Sequence, residues 1–114
     1  MRVLLTGAGG LAGRAMLRRL LAPEGDREVT AVYRKNLPAP SDRFTPVKLD
    51  LLDRERTLAR VREAEPGVII HLAGENHGTL EELLAGNVIA TRNLLDAACA
   101  LQGPVRVLAT GSSA

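Results

Sequence analysis

The apolar residues of this chain fall into short unbroken runs that alternate with stretches of helical spacing. Arg2 to Thr6 is a run of the first kind, closed by a glycine-rich turn. Such a run reads as a strand covered on both faces in a parallel sheet. From Leu11 to Leu21 the period becomes helical. Leu11, Ala15, Leu17, Leu20 and Leu21 share one side, Arg14, Arg18 and Arg19 face water, and Pro23 and Gly25 end the segment. Glu28 to Tyr33 predicts a second strand, Arg34 to Asp42 a proline-rich loop, and Phe44 to Leu49 a short third strand. Asp53 to Glu65 predicts a helix with Leu58 and Val61 inward, stopped by Pro66 and Gly67. Val68 to Leu72 predicts a fourth buried strand. Leu80 to Leu101 carries a long helical pattern with an irregular start. Its apolar positions include Leu83, Leu84, Val88, Ile89, Leu94, Leu95 and Ala98. Gly103 and Pro104 stop it, and Val105 to Ala109 predicts a fifth strand.

Strands alternating with helices imply right-handed parallel crossovers, hence an α/β fold with a doubly wound parallel sheet. The 114 residues suffice for one small domain and not for two. There is no internal repeat, low-complexity tract or linker. The sequence stops directly after the fifth strand, with no closing helix, and reads as the N-terminal five-strand portion of a domain cut short.

Composition narrows the chemistry. The chain is 46% hydrophobic but only 2% aromatic, so its core must be built from Leu, Val, Ile and Ala. The 15 Lys and Arg are interleaved with 13 Asp and Glu, giving a net charge of +2. No basic block alternates with aromatics, which argues against nucleic-acid binding. The single cysteine, Cys99, allows no disulfide within the chain and reads as a small core residue of the run from Leu94 to Ala100. His71 and His77 lack partners at metal-ligand spacing, so no metal site is expected. No run approaches the roughly 18 apolar residues of a membrane span. The apolar stretch after Met1 breaks at Thr6 and Gly7, unlike a signal peptide. A cytoplasmic protein is expected.

The strongest chemical signal is Thr6-Gly7-Ala8-Gly9-Gly10-Leu11-Ala12-Gly13, which follows a strand and opens a helix. It reads in two registers, Gly7-x-Gly9-x-x-Ala12, the common Rossmann form, and Thr6-Gly7-x-x-Gly10-x-x-Gly13. Both put small residues where backbone must approach a pyrophosphate, so that free N–H groups and the positive helix end face the anion. Gly7, Gly9, Gly10, Leu11 and Gly13 are the candidate contacts for a dinucleotide cofactor. Glycines also serve tight turns and close packing. No Gly-Lys-Ser/Thr follows, which excludes a Walker A loop. NAD-preferring sites carry an acid at the end of the second strand. Here that place reads Val32-Tyr33-Arg34-Lys35. Arg34 and Lys35 suit a 2′-phosphate, which favours NADP(H) over NAD(H); two solvated cations are the plain alternative.

Further along, the chain resembles the extended short-chain dehydrogenase/reductase family of NAD(P)-dependent nucleotide-sugar epimerases, dehydratases and reductases. The resemblance runs in order over all 114 residues. The loop from Thr6 to Gly13 matches the family's cofactor loop. Asp50-Leu51 resembles its Asp-Leu pair, whose carboxylate contacts the adenine amino group; Asp50 is also placed to cap the helix beginning near Asp53. His71-Leu72-Ala73-Gly74 is similar to the segment lying along the cofactor's ribose and diphosphate, which implicates Leu72, Ala73 and Gly74. Asn87-Val88-Ile89-Ala90-Thr91-Arg92-Asn93-Leu94-Leu95 is similar to the family's Asn-x-x-Gly-Thr-x-Asn-Leu-Leu helix, with Ala90 in place of Gly, and implicates Asn87. Gly111-Ser112-Ser113-Ala114 resembles the Ser-rich end of the fifth strand. Ser112, or Ser113 in the alternative register, then corresponds to the group that hydrogen-bonds the substrate oxygen. Glu75-Asn76-His77-Gly78 reads as a solvated loop at the carboxyl edge of the sheet, where ligands bind in such folds, with a substrate entrance as the alternative.

The resemblance implies hydride transfer between nicotinamide and a carbon of a nucleotide-linked sugar in the parent enzyme. It also implies a homodimer formed through the long helix. The family's proton relay is a tyrosine with a lysine four residues later. Here the sole tyrosine, Tyr33, is followed at that spacing by Leu37. The other reading is therefore a catalytically inactive dinucleotide-binding sensor or interaction module.

Overall fold

The computed structural model describes residues 1–23, 25–36, 41–75 and 77–110. Ser112 and Ser113, the candidate substrate contacts, lie outside the described residues. The elements are strand β1 (Arg2–Thr6), helix α1 (Leu11–Leu20), strands β2 (Glu28–Tyr33) and β3 (Phe44–Lys48), helix α2 (Arg54–Ala64), strand β4 (Val68–His71), helix α3 (Leu80–Leu84), a π-helical turn (Ala85–Ile89), helix α4 (Ala90–Cys99) and strand β5 (Arg106–Ala109).

The strands form one parallel sheet in the order β3-β2-β1-β4-β5. The chain winds outward from β1 to β3, then returns to lay β4 on the other side of β1. The strand order therefore reverses beside β1, and in open α/β sheets that reversal opens a crevice at the carboxyl ends of the strands. Thr6 pairs in register with Val32 of β2 and His71 of β4, which brings three strand ends to one edge. Pro46 stands in β3, an edge strand that needs no amide donor on its outer side.

Strand alternation splits the core in two. Leu4, Val32 and Ile69 face one side with Val61 of α2 and Ala90, Leu94, Ala97 and Ala98 of α4. Leu5, Val29, Ala31 and Phe44 face the other, where Leu17 of α1 covers them. Neither half contains a large aromatic cluster, as the composition requires.

Two expectations about side chains are corrected, the inward face of α1 and the burial of Cys99, and the structure adds roles for Thr57, Asn93 and Asp53. Leu11 is 92% exposed and Ala15 is also exposed; the inward face of α1 is Gly13, Met16, Leu17 and Leu20. The stripe at i, i+3, i+4 and i+7 is set by Gly13, which must approach the β1–α1 turn, so Leu11 is rotated outward. Cys99 is exposed, because it ends α4 one position off the face carried by Leu94, Ala97 and Ala98. Thr57 and Asn93, polar residues given no inward role, are fully buried with their hydrogen bonds made. Asp53, not Asp50, caps α2, accepting from Arg56 N at 3.1 Å.

Leu94 is 1% exposed and Leu95 43% exposed on the same helix. Leu94→Ala should therefore cost about 2–5 kcal/mol in urea unfolding, and Leu95→Ala well under half as much. Equal losses would contradict the assigned face of α4.

Candidate dinucleotide-binding site

The site is built where β1 turns into α1. Gly7 has φ +70°, a left-handed conformation that L side chains rarely adopt. A Cβ there would stand 2.7 Å from Ala73 N and 2.8 Å from Leu72 C. Thr6 holds the same segment from below, its Oγ1 accepting from Leu72 N at 3.1 Å and Ala73 N at 3.2 Å. Gly13 comes down on the other side of the turn, where a Cβ would fall on the Gly7 carbonyl oxygen. Three backbone segments thus meet with no side chain between them.

Above this junction Gly9 is buried against Asn36, where a Cβ would fall on the Asn36 carbonyl oxygen, and Gly10 is exposed. A Cβ on Gly10 would meet nothing nearer than Gly7 O at 3.5 Å. Gly10 is the N-cap of α1 and supplies no side-chain oxygen to the first turn, which has no acidic residue. The N–H groups of that turn therefore retain capacity for an external acceptor, reinforced by the helix dipole. A diphosphate fits this cradle on both counts, space and donors.

The cleft over the turn has a volume of about 280 Å³. Gly7, Gly9, Gly10, Arg34, Asp50, Leu51, Leu72, Ala73 and Gly74 all line it. The structure thus gathers nine of the predicted cofactor contacts from four separate stretches of chain. Three others stand elsewhere. Gly13 lies beneath the turn, Leu11 projects outward, and Asn87 serves the wall. The Asn87 Oδ1 accepts from Glu75 N at 2.9 Å and its Nδ2 donates to Glu75 O at 2.8 Å. Asn87 sits in the π-helical turn, where the Ala90 N–H reaches back to Ala85 O. Such turns often mark functional sites.

Asp50 keeps one oxygen busy, its Oδ1 accepting from Leu52 N at 3.0 Å. Asn93 Nδ2 donates to Leu51 O at 2.8 Å and ties α4 to this wall. Sequence reasoning gave Asn93 no role, and it placed Glu75 in a loop at the carboxyl edge without the contact to Arg34. Glu75 also lines the cleft, and its Oε1 lies 2.6 Å from an Arg34 guanidinium nitrogen.

His71 lies under the cleft, buried, with Nδ1 2.7 Å from Thr6 Oγ1 and Nε2 2.9 Å from Thr91 Oγ1. Counting protons fixes its tautomer. Thr6 Oγ1 already accepts two amides, so its own hydrogen goes to His71 Nδ1. His71 Nε2–H then donates to Thr91 Oγ1, and Thr91 donates to Asn87 O at 2.7 Å. The neutral ring completes this chain, and a second ring proton would have no acceptor. Burial also pushes the His71 pKa below the ordinary imidazole value.

Several known proteins are similar to this chain. The profile of the NAD dependent epimerase/dehydratase family matches residues 3–114. The low-salt glycan biosynthesis protein Agl12 of Haloferax volcanii is 37% identical over 113 residues, covering 86% of this chain and 35% of that protein. A mutant uronate dehydrogenase of Agrobacterium tumefaciens, solved in complex with NAD, is 33% identical with a TM-score of 0.81, over 97% of this chain and 40% of that one. The UDP-glucose 4-epimerase of Thermus thermophilus, in complex with NAD, is 26% identical with a TM-score of 0.73, over 85% and 33%. The chain spans about two fifths or less of the length of these relatives.

Because the folded pKa of His71 lies below its unfolded value, the unfolded chain takes up more protons as pH falls. This contribution to stability is complete above about pH 6.5 and is lost as pH falls through the folded pKa. The urea midpoint should drop further between about pH 7.5 and 5.5 for the wild type than for His71→Gln. Nitrogen NMR should show Nε2 protonated and Nδ1 bare at neutral pH; the reverse tautomer would refute the proton count.

Proposed function

Since the chain belongs to the NAD dependent epimerase/dehydratase family, we propose that its cleft binds a nicotinamide dinucleotide, with the diphosphate over the open backbone at Gly10. The observation that carries this reading is the bare β1–α1 turn, whose glycines are required by contact at Gly7 and Gly13 and leave open backbone at Gly10. Leu72, Ala73 and Gly74 form the opposite wall. Asp50 stands at the adenine end, with one carboxylate oxygen free of the Leu52 amide.

The preferred form is NADP(H). The supporting observation is that Arg34 and Lys35 line the cleft where the second strand ends, a place where NAD-specific sites carry a carboxylate. The structures of uronate dehydrogenase and UDP-glucose 4-epimerase named above hold NAD, so the preference rests on this chain's own cations.

On this reading the cofactor would supply hydride transfer at nicotinamide, with a nucleotide-linked sugar as the substrate. This chain's residues bind and orient: the turn takes the diphosphate, Thr6 and His71 hold the Leu72–Ala73 wall, and Asn87 fixes the loop beyond it. The tyrosine and lysine of the proton relay are not among these 114 residues, and Ser112 or Ser113 would contact the substrate oxygen. Leu84, Val88, Ile89 and Leu95 are exposed apolar residues along the long helical segment, which supports a homodimer through that face.

Titration followed by nicotinamide fluorescence tests the assignment. NADPH should bind more tightly than NADH, and Arg34→Ala should weaken NADPH by roughly three- to tenfold while leaving NADH nearly unchanged. Equal affinity for the two cofactors would overturn the preference, and no binding of either would overturn the function.

A further inference from the structure

Arg34 is not a free cation. It reaches from the end of β2 to Glu75, in the loop after β4, at 2.6 Å. Since β2 and β4 flank β1, this ion pair crosses the sheet edge directly over the cleft that both residues line.

Glu75 is held in place for the contact. Its backbone is gripped on both polar groups by the Asn87 side chain, at 2.9 and 2.8 Å. Its side chain lies across Gly86, where a Cβ would stand 3.0 Å from Glu75 Cβ and closer still to Cγ. A carboxylate so positioned loses little further freedom on pairing, which is the usual cost of an exposed ion pair. The side chains of Arg34 and Glu75 are 44% and 31% exposed, so a ligand anion can reach the guanidinium.

We propose that Glu75 is a specificity-determining residue, an internal anion that competes with the cofactor's 2′-phosphate for Arg34. This rests on the dinucleotide reading above. A 2′-phosphate arriving at Arg34 must displace the carboxylate and then lie beside it, and both steps weaken its binding. A 2′-hydroxyl carries no charge and meets no such opposition. Glu75 thus narrows the advantage that Arg34 gives to NADP(H), allowing one cleft to take both forms of the cofactor.

The test is a double-mutant cycle on the 114-residue chain, with NADPH and NADH dissociation constants read by nicotinamide fluorescence. Thermal melting of each variant checks that the isosteric change leaves the fold intact. Glu75→Gln should tighten NADPH about threefold or more and change NADH less than about twofold. In an Arg34→Ala background the same substitution should raise the NADPH-to-NADH ratio clearly less than in the wild type, because only the repulsion between carboxylate and phosphate is then left to remove. A ratio that Glu75→Gln does not raise, or that it raises equally without Arg34, overturns the competition while leaving cofactor binding intact. Failure of the wild type to bind either cofactor removes the dinucleotide reading itself.

Discussion

Two missing side chains let this molecule bring its first strand, its first helix and the loop after its fourth strand to one point. At Gly7 any Cβ would press on the Leu72–Ala73 backbone, and at Gly13 any Cβ would meet the Gly7 carbonyl. Everything that follows geometrically depends on these two contacts. They set the roll of α1, so that Met16, Leu17 and Leu20 face the sheet and Leu11 faces water. They also leave backbone as the floor of the cleft, and amide hydrogens, not side chains, as its donors.

Beneath that floor a directed set of hydrogen bonds fixes the wall. Two amides of the Leu72–Ala73 segment converge on Thr6, Thr6 gives its proton to His71, and His71 passes the sense of donation through Thr91 to the Asn87 carbonyl. The Asn87 side chain then grips Glu75. One continuous network therefore runs from the floor of the cleft to the residue that neutralises Arg34 at its mouth. A buried polar chain of this kind favours one arrangement, since leaving any member unpaired is costly.

Much of this is legible in the sequence because local pattern controls it. The five strands follow from apolar runs, and the doubly wound parallel sheet follows from the alternation of strands with helices. The glycine loop is legible because it sits between the two patterns. What is not legible depends on contacts between distant residues. Hydrophobicity alone turns Leu11 and Ala15 inward, but close packing at Gly13 decides the roll of the helix. Apolar neighbours suggest a buried Cys99, yet it falls one step off their face. Arg34 and Glu75 are 41 positions apart, and nothing in either local sequence announces the pair. The buried role of Asn93 depends on the Leu51 carbonyl, 42 positions away, which only the folded chain presents to it.

The central claim is that the β1–α1 turn receives an anion on its backbone. The most direct measurement is a series of amide proton–nitrogen spectra of the labelled chain as NADPH is added. Resonances of Gly9, Gly10, Leu11 and Ala12 should shift together and saturate, while those of α2, on the far side of the sheet from α1, stay in place. Saturable binding that leaves the turn amides unmoved would contradict the account.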